Sequence, residues 1–154
     1  MSKLTLEQID EYFEIHLPYR NRILAAHKNI CARGPYHGDR GILESCFEAS
    51  LITGRMYLNV LGIGKVNSRI ERPRYHKDDL NAQDLGGNLV NLSTLPQIGK
   101  EDFLNFLIMA DKGAAHLTKP RAHNWEKTHI VIYKIINYIK TNIYSPANRK
   151  CDEF

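Results

Sequence analysis

Three histidines of this chain fall on predicted apolar helical stripes instead of polar faces: His16, His27 and His129. An imidazole can transfer a proton near neutral pH or bind a metal ion. Glu126 and His129 are three residues apart, the spacing of half a carboxylate-bridged two-metal site in a helical bundle. The sequence contains no second Glu-x-x-His pair. We therefore assign no metal and no cofactor, and keep a metal-binding bundle as an alternative function.

The carboxylates Asp111, Glu48 and Glu126 are candidates to complete such a site with His27 and His129. Asp111 lies on the apolar side of a predicted helix, where a buried carboxylate would need a histidine, arginine or lysine as its partner. Pairing with Arg20 or His27 would be a purely structural solution. Glu48 belongs to a polar stripe on its predicted helix. The first interpretation is a solvated face with Glu48 near Arg55, and the alternative is a site that faces Arg20 and His27. We expect a polar or ligand-binding cluster composed of His16, Glu48, Asp111 and His129.

Arg20 and His27 are seven residues apart, so two helical turns bring them to nearly the same face, with His16 one turn earlier. An arginine that orients phosphate and a histidine that transfers a proton can cleave RNA without a metal. This segment, in which Asn21 follows Arg20, resembles the arginine-to-histidine motif of HEPN domains. The resemblance implies a small helical bundle that often dimerises, and a metal-independent ribonuclease with Arg20 and His27 as catalytic residues.

A basic segment follows the predicted second helix and places a tyrosine among arginines: Arg69, Arg72, Arg74 and Tyr75. Aromatic and guanidinium groups can stack on unpaired bases, so the segment is a candidate for nucleic-acid contact, against an ordinary solvated loop. It belongs to an aperiodic stretch, 65–95, whose length is typical of a binding segment, a disordered insert or a missed element. Within this stretch, residues 87–92 would form either a short strand or irregular chain across the bundle.

The elements that must position these residues are helices. Thr5 and Gln8 have the form of a capping box at the start of the first helix. Pro18 marks a kink or the first turn of a continuing helix, and Gly34 ends that helix. Apolar residues at helical spacing predict further helices over about 42–61, 99–117 and 120–144. The predicted fold class is all-α, an antiparallel bundle of about four helices with one long irregular loop, 65–95, between the second and third.

Length and composition limit the number of domains and the class of partner. A chain of 154 residues fits one helical-bundle domain over 1–154, with a flexible tail over 146–154. The formal net charge of +4 permits a polyanionic partner but falls short of a dense basic stripe. Three cysteines without CxxC spacing favour a reducing, cytoplasmic location, and Cys31 and Cys46 are expected to be small core residues. The most apolar stretch, 130–143, contains two lysines, so we expect no membrane span.

The leading functional hypothesis from the sequence is a non-catalytic interaction or accessory domain. Neither a glycine-rich phosphate loop nor a nucleophile elbow is present. Such a domain would work as a homo-oligomer and bind another protein or a small ligand between its helices. The alternatives are the metal-independent ribonuclease that uses Arg20 and His27, and the metal-binding bundle of histidines and a carboxylate.

Overall fold

The structure is a computed structural model that describes residues 4–115, 125–151 and 154, with the backbone alone for 113–115. It begins with one continuous helix made of α1 (Leu6–Glu11), a π-helical turn (Tyr12–His16) and α2 (Leu17–Ala32). The predicted capping box is confirmed, because the Gln8 amide donates to Thr5 Oγ1 at 3.3 Å and the Thr5 amide donates to Gln8 Oε1 at 2.9 Å. We refer to these three parts together as the first helix.

Pro18 explains why the first helix changes its hydrogen bonding near its middle. Proline has no amide hydrogen, and its ring collides with the carbonyl four residues earlier in a regular helix. The Leu17 amide donates to the Tyr12 carbonyl, five residues back, which widens the helix immediately before the proline. The helix therefore continues through Pro18, which is one of the two predicted outcomes.

Helix α3 (Arg40–Val60) returns antiparallel to α2. The contacts run in opposite directions along the two helices, because Phe47 lies against the His27 ring whereas the Tyr57 hydroxyl donates to the Leu17 carbonyl at 3.3 Å. This packing buries the middle of α2 and confirms the predicted second helix.

Helices α4 (Gln97–Ala115) and α5 (Trp125–Ile139) complete the fold, and α5 runs into a second π-helical turn (Lys140–Tyr144). Helix α5 is antiparallel to α4, since Lys134 forms an ion pair with Asp102 and Thr128 lies 3.9 Å from the Met109 sulfur. The mostly α-helical class is confirmed. The predicted end of the third helix at 117 and the predicted start of the fourth at 120 lie outside the described residues.

The segment 65–95 contains a small β-hairpin that the sequence analysis did not predict. Strands β1 (Gly64–Val66) and β2 (Arg69–Glu71) pair antiparallel, with Val66 opposite Arg69. Asn67 and Ser68 connect them with φ angles of 48° and 61°, the left-handed pair that a two-residue type I′ turn requires. A short 3₁₀ helix (Ala82–Leu85) follows.

The rest of this segment is bonded to the bundle instead of projecting from it. Residues 87–92 cross the bundle as irregular chain, one of the two predicted forms, and the Val90 amide donates to the Leu61 carbonyl at 2.9 Å. The Arg72 guanidinium donates to the carbonyls of Gly62 at 2.9 Å and Val90 at 2.8 Å, and thereby ties the hairpin to the crossing chain.

One connected hydrophobic core includes buried side chains from the first helix, α3, α4, α5 and the crossing segment. The described part of the tail 146–154, predicted to be flexible, also contacts this body. Arg149 forms an ion pair with Asp10, and its guanidinium lies 5.6 Å from the Phe13 ring. Among the helices within 4–115 and 125–151, we find none with the length and apolarity needed to cross a bilayer.

Candidate functional site

His27, Cys31 and His129 converge where α2 packs against α5, and we call them the His–Cys cluster. His27 Nδ1 lies 2.9 Å from His129 Nε2, and Cys31 Sγ lies 3.9 Å and 3.8 Å from Nδ1 and Nε2 of His27. One potential ligand atom from each residue lies within 4.8 Å of the other two. Two of these residues, His27 and His129, are candidate site residues from the sequence. The third, Cys31, was expected to be a small core residue.

Aromatic rings enclose the buried member of this cluster. The His27 side chain is 0% exposed. The Trp125 ring meets it edge-on at 4.7 Å between centroids, and the Phe47 ring lies at 4.9 Å. Cys31 and His129 are partly exposed, so the cluster is accessible from the surface on their side.

The surroundings of the cluster favour the neutral form of both imidazoles. Burial is the larger cause and the neighbouring His129 the smaller one, and together they lower the pKa of His27 to about 4. Burial also lowers the pKa of His129, with a smaller contribution from the ammonium of Lys28. One ring therefore donates its N–H to the lone pair of the other in the 2.9 Å contact.

We expect the free energy of unfolding to decrease as the pH falls from 6.5 towards about 4. Above pH 6.5 the His27 ring is neutral in both states, whereas below it the unfolded chain binds a proton that the folded chain resists. For His27 alone the loss is on the order of 3 kcal/mol. Urea unfolding at pH 7 and near pH 4 measures it. A His27→Gln variant should show a smaller pH dependence, and an equal dependence would contradict this explanation.

A second site is a cavity of about 520 Å³ between the first helix, the carboxyl-terminal half of α3 and the segment 73–85. Its floor includes the buried side chains of Leu17, Tyr57 and Leu85. Its rim carries three exposed arginines: Arg20, Arg55 and Arg74. We call it the arginine-rimmed cavity.

The charges around this cavity are unbalanced. Arg20 and Arg74 form no ion pair with any of the residues that the structure describes. Arg55 lies 3.1 Å from a carboxylate oxygen of Asp111, and that carboxylate also binds Lys65 at 2.6 Å. Among the lining residues, three arginines stand against one aspartate, so the cavity presents excess positive charge.

Hydrogen bonds from two tyrosines hold the floor and one wall of the cavity. The Tyr75 hydroxyl donates to the Asn59 carbonyl at 2.7 Å and fixes the segment 73–85 against the end of α3. Burial raises the pKa of Tyr75, which keeps this donor protonated. In the floor, the Tyr57 hydroxyl donates to Asn21 Oδ1 at 2.5 Å, and Asn21 Nδ2 donates to the Tyr144 hydroxyl at 2.9 Å.

Arg20 and His27 do not share one cleft, although both lie on the first helix. Trp125 and His129 of α5 contact His27, whereas Arg20 lies two turns earlier on the rim of a cavity that His27 does not line. The ribonuclease hypothesis requires both side chains in one accessible cleft, and this arrangement does not provide it.

The four members of the predicted polar cluster have different surroundings: His16, Glu48, Asp111 and His129. His16 lines the arginine-rimmed cavity, and Glu48 is exposed on α3. Asp111 has an arginine and a lysine as partners, Arg55 and Lys65, which agrees with the expected kind of partner, although the suggested Arg20 and His27 are not the ones. His16, which was expected on an apolar stripe, is exposed, and helical periodicity did not identify which turns of different helices meet.

The four residues proposed for nucleic-acid contact have different roles in the structure. Arg72 is used in two hydrogen bonds to backbone carbonyls. Arg74 and Tyr75 line the arginine-rimmed cavity, and Arg69 is exposed on β2 outside it. Nucleic-acid contact by these four residues stays a prediction.

Cys31 and Arg55 are the site residues that the sequence analysis missed. A signal for Cys31 was present, because it follows His27 by four residues and so shares its helical face. No comparable signal linked Arg55 of α3 to Arg74, since their proximity depends on how the segment 73–85 folds back. Comparison with known proteins adds no relative, because no family model, no curated protein and no solved structure matches this chain.

Proposed function

We propose that this protein is a non-catalytic binding domain that holds a small amphipathic anion in the arginine-rimmed cavity. The observation that carries the proposal is the pair Arg20 and Arg74, which lack an ion-pair partner among the described residues and stand over a buried, largely apolar floor. The volume of about 520 Å³ lies within the range of small-molecule sites.

The chemistry of the lining residues defines the class of ligand. A guanidinium presents a planar fork of donors that matches a carboxylate or a phosphate. The aliphatic side chains of Leu17, Met56 and Val60 and the rings of Tyr12 and Tyr75 favour an apolar or flat body. The expected ligand is therefore an organic carboxylate or phosphate with an apolar or aromatic body.

Two groups of the cavity that could transfer a proton already have partners. His16 Nε2 lies 3.3 Å from a carboxylate oxygen of Glu11. Asp79 Oδ2 accepts a hydrogen bond from the His76 amide at 2.7 Å. We propose binding because arginines, which stay charged and do not transfer protons near neutral pH, predominate among the charged residues that line the cavity.

A fluorescence titration with anilinonaphthalene sulfonate, an amphipathic anion, tests the proposal. The double variant Arg20→Gln/Arg74→Gln should bind the probe at least about tenfold more weakly, because charge-assisted hydrogen bonds contribute about 1.5–3 kcal/mol each. The matched control is Arg40→Gln/Arg69→Gln, which removes two exposed arginines outside the cavity. Equal affinities of the two double variants would contradict the proposal, and so would a failure of the unmodified protein to bind.

We further propose that the domain works as a homo-oligomer in a reducing, cytoplasmic setting. Large apolar side chains on two helices support self-association, because they are more than half exposed: Ile15, Tyr19, Ile130 and Tyr133. A two-fold dimer is the commonest way to cover such residues. Multi-angle light scattering of the reduced protein measures its mass in solution, and a monomer at all concentrations would remove this part of the proposal.

A further inference from the structure

We propose that His27, Cys31 and His129 bind one soft transition-metal ion, copper(I) or zinc(II), through two imidazole nitrogens and one thiolate. These residues do not line the arginine-rimmed cavity, so the inference is independent of the proposed function. It also differs from the histidine–carboxylate site considered from the sequence, because a thiolate takes the place of the carboxylate.

The donor atoms are already close to coordination geometry. Metal–nitrogen bonds of about 2.0 Å and metal–sulfur bonds of about 2.3 Å place donors on one ion about 3.3–3.8 Å apart. His27 Nδ1 lies 2.9 Å from His129 Nε2 and 3.9 Å from Cys31 Sγ. One ligand atom from each of the three residues lies within 4.8 Å of the other two. We expect rotation of the three side chains to bring these donors to one ion.

The surrounding structure fixes the orientation of the donors. His27 and Cys31 are four residues apart on α2 and share one face, and His129 faces them from α5. The rings of Trp125 and Phe47 contact the His27 ring and limit its rotation. Rigid support of this kind reduces the ordering cost of metal binding.

The protonation states allow the ion to replace a hydrogen bond. In the His27–His129 contact one nitrogen carries the hydrogen, and that hydrogen moves to the other nitrogen of the same ring when the ion binds. The thiol of Cys31 loses its proton to water, and the metal keeps its oxidation state. The ion thus receives three lone pairs from groups that are neutral before binding.

The donor set and its charge favour a soft ion. Imidazole and thiolate suit copper(I) and zinc(II), whereas magnesium and calcium prefer oxygen ligands. No carboxylate belongs to the cluster among the residues that the structure describes. With one thiolate, copper(I) gives a site of zero net charge, but zinc(II) leaves a positive charge near the ammonium of Lys28. Because burial disfavours net charge, we expect tighter binding of copper(I).

The test is a metal titration of the reduced protein without oxygen. Copper(I) is added in competition with bicinchoninate, and zinc(II) in competition with a chromogenic chelator. We expect one equivalent of metal per chain and at least a tenfold loss of affinity in Cys31→Ser and in His129→Gln. The matched controls are Cys46→Ser, a second partly exposed cysteine on a helix, and His37→Gln, an exposed histidine outside the cluster.

Cobalt(II) gives an independent readout of thiolate ligation, because a thiolate-to-cobalt charge-transfer band appears only when sulfur binds. The band should be present in the unmodified protein and in Cys46→Ser, and absent in Cys31→Ser. If His129→Gln fails to fold, as judged by circular dichroism, Cys31→Ser decides the question because its side chain is partly exposed. Failure of both copper(I) and zinc(II) to bind with one-to-one stoichiometry, or unchanged affinity in Cys31→Ser, would overturn the proposal.

Discussion

Replacement of Asn21 by leucine should lower the free energy of unfolding by about 2–4 kcal/mol. Asn21 is 1% exposed, and its amide links two buried tyrosines. The Tyr57 hydroxyl donates to its oxygen at 2.5 Å, and its nitrogen donates to the Tyr144 hydroxyl at 2.9 Å. Leucine supplies neither group, so Tyr57 keeps only its longer contact with the Leu17 carbonyl, at 3.3 Å.

Urea unfolding followed by circular dichroism measures this loss. Asn137→Leu is the matched control, since Asn137 is exposed on α5 and the same change there should alter stability by less than about 0.5 kcal/mol. Once Asn21 is leucine, Tyr57→Phe should cost less than it does in the unmodified protein, because its main hydrogen bond is already absent. Additive effects of the two substitutions would show that Asn21 and Tyr57 are not coupled.

Replacement of Gly54 by valine should destabilise the protein by about 2–4 kcal/mol. Helix α3 packs so closely on α4 at this point that an added Cβ would lie 2.5 Å from Phe106 Cζ and 2.8 Å from Phe106 Cε1. The same Cβ would lie 3.4 Å from Ile135 Cδ1 of α5. Alanine should cost less, because it meets the same neighbours with a smaller side chain and gains about 1 kcal/mol of helix propensity over glycine.

Thermal unfolding of Gly54→Val and Gly54→Ala, each with and without Phe106→Leu, tests this contact. A smaller side chain at 106 removes the atoms that an added Cβ would meet. The combination should therefore be more stable than the sum of the two single effects predicts. Strict additivity would contradict a direct clash, and a stable Gly54→Val variant would show that α3 and α4 can separate here at little cost.

The helices could be predicted because their signals are local. Thr5 with Gln8 forms the capping box, and the Gly34 φ of 110° agrees with its predicted position at a helix end. The hairpin was missed because three-residue strands are too short to show alternation, and Asn67-Ser68 is a weaker turn signal than Asn-Gly. The segment 65–95 therefore read as irregular, although its hydrogen bonds to the bundle are specific.

The candidate sites could be predicted only in part, because periodicity assigns a face but not the contacts between helices. His27 and His129 were selected correctly as histidines on apolar stripes, and they contact each other at 2.9 Å. Arg20 shares a helical face with His27, but their surroundings differ. Trp125 of α5 covers His27, whereas Arg20 lines the arginine-rimmed cavity. Asp111 forms an ion pair with Lys65 of the hairpin, and this partner could not be predicted because the hairpin itself was not predicted.

The most direct test of the account is a crystal structure of the protein soaked with para-iodobenzoate, with anomalous scattering collected to locate the iodine. This probe combines a carboxylate with a flat apolar ring, as the proposed ligand does. We predict an iodine peak over Leu17 and Tyr57 in the arginine-rimmed cavity, with the carboxylate bonded to Arg20 or Arg74. A well-occupied iodobenzoate elsewhere, with this cavity holding solvent alone, would contradict the proposal that the cavity is an anion-binding site.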